Sequence, residues 1–237
     1  MNSPRVWTGV LLGALLAAVG AWLVGESKKL DVTPAKAWYK TQGGEVLGET
    51  YETRLVAANK TASRVNGVYG ALLGLALGLA GGLAAGRPGS AGVAAGVGLI
   101  AAAAVGAVAP LVVVPLYNRL AGVHMEDLAP AILMHCALWA PIGAAAGLAL
   151  GVGLGERWRS LRVALGGALG VVVGVGVYEL LGALAFPVAK THEPTAMEAL
   201  PRLLMFLLTA LPAAACAIGL AGKTEATGVP ATPVKPD

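Results

Sequence analysis

The chain has 237 residues, of which 57% are hydrophobic, 13% are charged and 34 are glycine, with a formal net charge of +4. That balance excludes a disordered chain, which needs the opposite composition, and a single soluble domain, whose surface so few polar side chains cannot cover. Two cysteines exclude a disulfide framework and a four-ligand zinc site.

A helix needs about 20 mostly apolar residues to cross roughly 30 Å of hydrocarbon. The first such run is 6–25. Arg5 precedes it and Ala18-Val19-Gly20 resembles a cleavage site. The run is longer than the roughly 7–15 residues of a signal-peptide core, so a retained anchor is expected. The segment 26–66 is polar and holds seven of the 17 basic residues (Lys28, Lys29, Lys36, Lys40, Arg54, Lys60, Arg64) with five acids. Within it, Trp38-Tyr39-Lys40 reads as an interfacial anchor. The stretch 48–65 is rich enough in helix formers to extend the second span beyond the bilayer. Five further apolar runs follow at 67–86, 91–117, 130–155, 161–188 and 203–221. The tail 222–237 has three prolines and no apolar run, and reads as disordered. The expected fold is therefore all-α: a polytopic transmembrane bundle of six helices. One helix lies at 1–25 and five within 67–221, with a partly helical polar loop at 26–66 outside the bilayer.

An even number of spans puts both termini on one side. That side carries Arg5, Arg87, Arg157, Arg159, Arg162, Lys223 and Lys235, against Arg119, Lys190 and Arg202 once the long loop is set aside. The positive-inside rule then predicts cytoplasmic termini, although Lys28 and Lys29 weigh the other way. The Ala/Gly/Val bias fits a bacterial chain, which makes the inner (cytoplasmic) membrane the expected location.

One string occurs twice. Gly70-Ala71-Leu72-Leu73-Gly74-Leu75-Ala76-Leu77-Gly78 returns as Gly143-Ala144-Ala145-Ala146-Gly147-Leu148-Ala149-Leu150-Gly151, at an offset of 73. Met125-Glu126-Asp127-Leu128 and Met197-Glu198-Ala199-Leu200, like Pro115 and Pro187, are related by 72. The simplest account is a helical hairpin repeated three times, as spans 1–2, 3–4 and 5–6, in parallel orientation. The competing account is duplication without functional symmetry.

The glycines recur every four residues: Gly70, Gly74, Gly78 and Gly82, then Gly143, Gly147 and Gly151, then Gly166, Gly170 and Gly174. That spacing keeps them on one helix face. Lipid supplies little hydrophobic drive between helices, so association rests on close packing, which a face without side chains permits. The stripes predict helix packing within the chain; an oligomerisation face is the alternative. They are not phosphate loops, because no strand precedes them and no lysine or acid stands at the required spacing.

Ionisable residues inside a bilayer are costly and raise a functional hypothesis. Two qualify, His135 in the fourth span and Glu179 in the fifth. Counted from Pro130 and Pro187 at about 1.5 Å per residue, they lie within about a helical turn of the same depth, on the long-loop side. Tyr178, Thr209, Cys136, Trp139 and Tyr69 share that half, as do prolines 110, 115, 141 and 212, whereas the other half is almost wholly Gly, Ala, Val and Leu. The expected site is a polar vestibule on the long-loop side, built from His135, Glu179, Tyr178 and Thr209. A plain hydrogen bond between helices is the competing reading.

Loop residues His124, Glu126, Asp127, His192, Glu193 and Glu198 lie on the same side but match no metal motif. All five serines and all aspartates fall outside the spans, which removes intramembrane Ser–His and Asp–Asp hydrolases, and no His-Glu-x-x-His string occurs. No catalytic residue, cofactor, metal or nucleic-acid partner is expected. The expected partners are the lipid bilayer and, through 26–66, a second copy or another protein. The sequence favours a non-catalytic accessory or scaffold subunit. The alternative is a transporter or channel for a proton, small solute or lipid.

Overall fold

The computed structural model describes residues 3–27, 30–120, 128–155, 157–189, 191–196 and 198–222. The chain forms α1 (Pro4–Glu26), a hairpin of β1 (Lys36–Thr41) and β2 (Gly44–Glu49), then α2 (Tyr51–Ala84), α3 (Pro88–Leu120), α4 (Leu128–Leu154), α5 (Arg157–Ala185) and α6 (Ala199–Gly222). All six helices are long and apolar enough to cross a membrane, as the run lengths predict. The tail beyond Gly222 lies outside the described residues. So do Lys28, Lys29, His124, Lys190 and the Met125-Glu126-Asp127 motif with its counterpart Met197.

Local chemistry sets the helix ends. Pro4 opens α1, where its missing N–H costs nothing. Thr50 and Thr53 cap α2 reciprocally, each hydroxyl accepting from the other residue's backbone N–H, with Glu52 in the first turn. Gly86 and Gly155 end the turns after α2 and α4 at φ of +67° and +86°, the left-handed region that stops a helix without a Cβ clash. At 34 residues α2 is about 51 Å long, well beyond the roughly 30 Å of a hydrocarbon core. Its first turns run beside the polar segment, where Thr61 Oγ1 accepts from the Val32 N–H at 2.9 Å.

The segment 26–66 is partly helical, from Tyr51 onward, and before that it adds two antiparallel strands that the sequence did not lead one to expect. Trp38 faces Leu47 and Tyr39 faces Val46, while Lys36 faces Glu49 and Lys40 faces Glu45. Opposite charges thus flank an apolar pair, a stabilising cross-strand pattern. The Gln42-Gly43 link is short, and Gly44 takes φ +118° at the turn.

The bundle has two layers. Helices α2, α4 and α6 touch one another at the centre. Around them α1 lies against α2 and α6, α3 against α2 and α4, and α5 against α4 and α6. Each outer helix therefore fills the groove between two inner ones. Tyr69, Leu73 and Leu77 of α2, Leu138, Trp139 and Ile142 of α4, and Met205 and Phe206 of α6 form the buried centre. Leu12 and Leu16 of α1, Ile100 and Val112 of α3, and Leu165 and Leu169 of α5 are exposed on the outside.

The periodic glycines face neighbouring backbone. A Cβ on Gly70, Gly74, Gly78 or Gly82 would run into Ala102, Gly98, Ala94 or Ala91 of α3. Gly143, Gly147 and Gly151 stand against Gly167, Val163 and Ser160 of α5, and Gly166, Gly170 and Gly174 against Cys216, Pro212 and Leu208 of α6. In most of these contacts the nearest neighbour is a carbonyl oxygen, the geometry of weak Cα–H···O bonding between helices.

The contacts relate the α2–α3 pair to the α4–α5 pair by an offset of 69 rather than the 73 of the matching string. Gly74 meets Gly98 as Gly143 meets Gly167, Gly78 meets Ala94 as Gly147 meets Val163, and Gly82 meets Ala91 as Gly151 meets Ser160. Gly86 and Gly155 share that offset. A glycine period of four lets the string slide one turn and still match, so the packing offset and the offset of the matching string differ by one turn.

Candidate functional site

Sequence depth put His135 and Glu179 at one level, and the structure brings them into contact. His135 Nδ1 and Glu179 Oε1 form a short hydrogen bond between α4 and α5. Both side chains are enclosed, His135 at 0% and Glu179 at 2% exposure. The ring lies flat on Trp139, one turn along α4, with centroids 4.4 Å apart and planes within 8°. Tyr178 meets it edge-on at 5.9 Å. On the other side, His135 Nε2 lies 3.0 Å from the carbonyl oxygen of Glu193, in the connection between α5 and α6.

These partners fix the proton count. A carbonyl offers only lone pairs, so Nε2 carries a hydrogen and donates it. One further proton then lies between Nδ1 and Oε1. On nitrogen it makes an imidazolium–carboxylate pair, and on oxygen a carboxylic acid donating to neutral imidazole. Both forms have zero net charge, the condition a low-dielectric interior favours. Removing one partner of such a buried pair typically costs about 3–5 kcal/mol.

Thr209 does not join this pair. Its hydroxyl and that of Tyr69 are 2.8 Å apart, and Thr209 also donates to the Met205 carbonyl at 2.7 Å. Tyr69 stacks on Phe206 at 4.8 Å. The predicted site residues thus fall into two groups, His135–Glu179–Tyr178 between α4 and α5 and Tyr69–Thr209 between α2 and α6. The vestibule expected on the long-loop side is closed over His135 and Glu179, with residues 191–196 of the α5–α6 connection lying against it through the Glu193 carbonyl. Ala189, Thr191 and Ala196 of that connection are buried.

Several participants escaped the sequence reading. Asn66 is fully enclosed in α2, and neither polar atom of its amide has a partner; the predicted span began one residue after it. The Trp139 Nε1 and Tyr178 hydroxyl groups are likewise buried without partners. At the rim, Arg202 Nε donates to the Ala196 carbonyl at 3.0 Å and its Nη1 lies 3.5 Å from Glu26 Oε1, while Trp22 Nε1 donates to the Ala199 carbonyl at 3.0 Å. Charged residues at the ends of two predicted spans were the available signal for that clasp. Among the described residues, no three His, Cys, Asp or Glu side chains cluster as metal ligands would.

No family model matches the chain, and neither a curated protein nor a solved structure is found to be similar to it.

Proposed function

We propose that this chain is an integral membrane protein acting as a non-catalytic scaffold or accessory subunit, its bundle anchoring the 26–66 segment for a protein partner. The observation that carries this reading is the hairpin. Trp38 is 68% exposed, and Tyr39, Val46 and Leu47 are also exposed, on a two-stranded sheet with both edges open. A lone hairpin is marginal in water, and open edges are sites where another chain adds a strand. The apolar outer faces of the six helices meet lipid in this reading, and the termini lie on the cytoplasmic side of a bacterial inner membrane. The matching glycine contacts of α2 with α3 and of α4 with α5 support three repeated hairpins, spans 1–2, 3–4 and 5–6, around a central axis lined by α2, α4 and α6.

The test is the size of the protein extracted in mild detergent from the membranes that make it. The full chain is expected in a larger complex that is lost when 36–49 is replaced by a Gly/Ser linker. An unchanged particle size after that replacement refutes the scaffold reading.

A second reading, a transporter or channel for a proton, small solute or lipid, draws on one observation: the enclosed His135–Glu179 pair, since ionisable groups at membrane depth tend to mark transport paths. The glycine-packed terminal half weighs against it, because a continuous path needs those backbones to part. Proton flux into proteoliposomes, compared between the wild-type protein and Glu179→Gln, separates the two readings. Flux that disappears with Gln supports transport, and no flux in either supports the scaffold.

A further inference from the structure

We propose that residues 186–189 and 191–196 form a lid that shuts the His135–Glu179 pair off from water on the long-loop side, held down by two latches toward its C-terminal end. This inference is independent of which reading of the function holds.

The segment has the construction of a lid. Its described residues lack regular structure, so among them no ladder of backbone bonds fastens the segment to the bundle. Its inner face is nevertheless buried: Ala196 is 1% exposed and Ala189 5%, while Val188, next to Ala189, turns outward at 88%. The inner latch is the His135 Nε2–H donating to the Glu193 carbonyl. The outer latch is Arg202, which holds the Ala196 carbonyl and reaches Glu26 of α1. Ahead of the latches, Thr191 sits in a notch of α5 created by Gly182, where a Cβ would come within 2.9 Å of the Thr191 Cβ. The notch admits the lid only because residue 182 has no side chain.

The charge arithmetic explains why a lid is useful here. A closed lid suits a pair with zero net charge. Proton gain or loss would leave an uncompensated charge in a dry interior, which is strongly unfavourable. Water must reach the pair before its proton can exchange, and the lid is the part of the enclosure that lies outside the helices.

The experiment measures opening directly. Thr195 is a suitable reporter position, because its buried hydroxyl has no partner and cysteine is close to it in size. The full-length protein in proteoliposomes carries Thr195→Cys, with Cys136 replaced by Ala and Cys216 kept as a half-buried reference on α6. Labelling by a membrane-impermeant thiol reagent tracks the open population. The parent is expected to label slowly. Gly182→Ala, which fills the notch while favouring helix, and Arg202→Gln, which frees the outer latch, are each expected to speed labelling of position 195 about tenfold, equivalent to about 1.4 kcal/mol, with Cys216 unchanged. His135→Phe, which keeps volume but removes the inner latch, is expected to do the same. Fast labelling in the parent, or no acceleration in any of the three variants, overturns the lid. Acceleration at Cys216 in step with position 195 also overturns it, because the whole bundle is then loosening.

Discussion

Two glycines two residues apart on α3 give a test whose sign the packing sets. Gly96 has nothing within 4 Å of where a Cβ would stand. At Gly98 the same atom would lie 2.6 Å from the Gly74 carbonyl carbon and 2.7 Å from the Ala149 Cβ, in the seam where α2, α3 and α4 meet. Ordinary contact begins at 3.4 Å, so Gly98→Ala must move the helices apart by about 0.8 Å. The obstacle on the α2 side is backbone, which cannot rotate away. Overpacking of that kind costs about 1–3 kcal/mol, against a helix-propensity gain of about 0.8–1.0 kcal/mol that Ala brings at either position. Gly96→Ala is therefore expected to stabilise the protein by up to about 1 kcal/mol and Gly98→Ala to destabilise it by up to about 2 kcal/mol. Reversible unfolding in mixed micelles of increasing SDS fraction, followed by circular dichroism, measures both. Shifts of the same sign and size would refute the backbone contact between α2 and α3.

The same assay tests the buried polar groups and the hairpin. Glu179→Ala leaves His135 without its partner and is expected to cost about 3–5 kcal/mol, whereas Glu179→Gln retains a hydrogen bond to Nδ1 and is expected to cost clearly less; equal losses would contradict the bond. A double-mutant cycle of Tyr69→Phe and Thr209→Val should give a coupling of about 0.6 kcal/mol, the average for hydrogen bonds between helices in lipid. A coupling near zero would mean that the two hydroxyls do not pair. Replacing 36–49 by a Gly/Ser linker should leave the bundle's stability within about 0.5 kcal/mol, and a larger loss would place the hairpin in the core's support.

The helices were legible because each carries a run of about 20 apolar residues, long enough to span a hydrocarbon core. The level of His135 and Glu179 was legible for a related reason: helix rise is constant, so counting from Pro130 and Pro187 gives depth. Counting cannot tell which way a side chain points, and Thr209, at a similar depth, turned to Tyr69 instead. The Glu193 contact was out of reach because it uses a backbone carbonyl on an irregular segment, which no residue type announces. The hairpin did leave a trace, apolar Trp38 and Leu47 bracketed by lysines and glutamates around Gln42-Gly43. The surrounding helix formers and the long polar context masked it. The packing faces were legible from glycines every four residues, but not the turn at which two helices meet.

The central claim is that six helices cross a bilayer, placing the hairpin and the α2–α3 turn on opposite sides. The most direct measurement is side-specific labelling of single cysteines, Gln42→Cys at the hairpin tip and Ser90→Cys at the start of α3, each with Cys136 and Cys216 replaced. In intact cells that make the protein, an impermeant thiol reagent is expected to reach position 42 from outside, and position 90 only after the membrane is opened. Equal reactivity of both positions in intact cells, or a chain that stays in solution without detergent, would contradict the account.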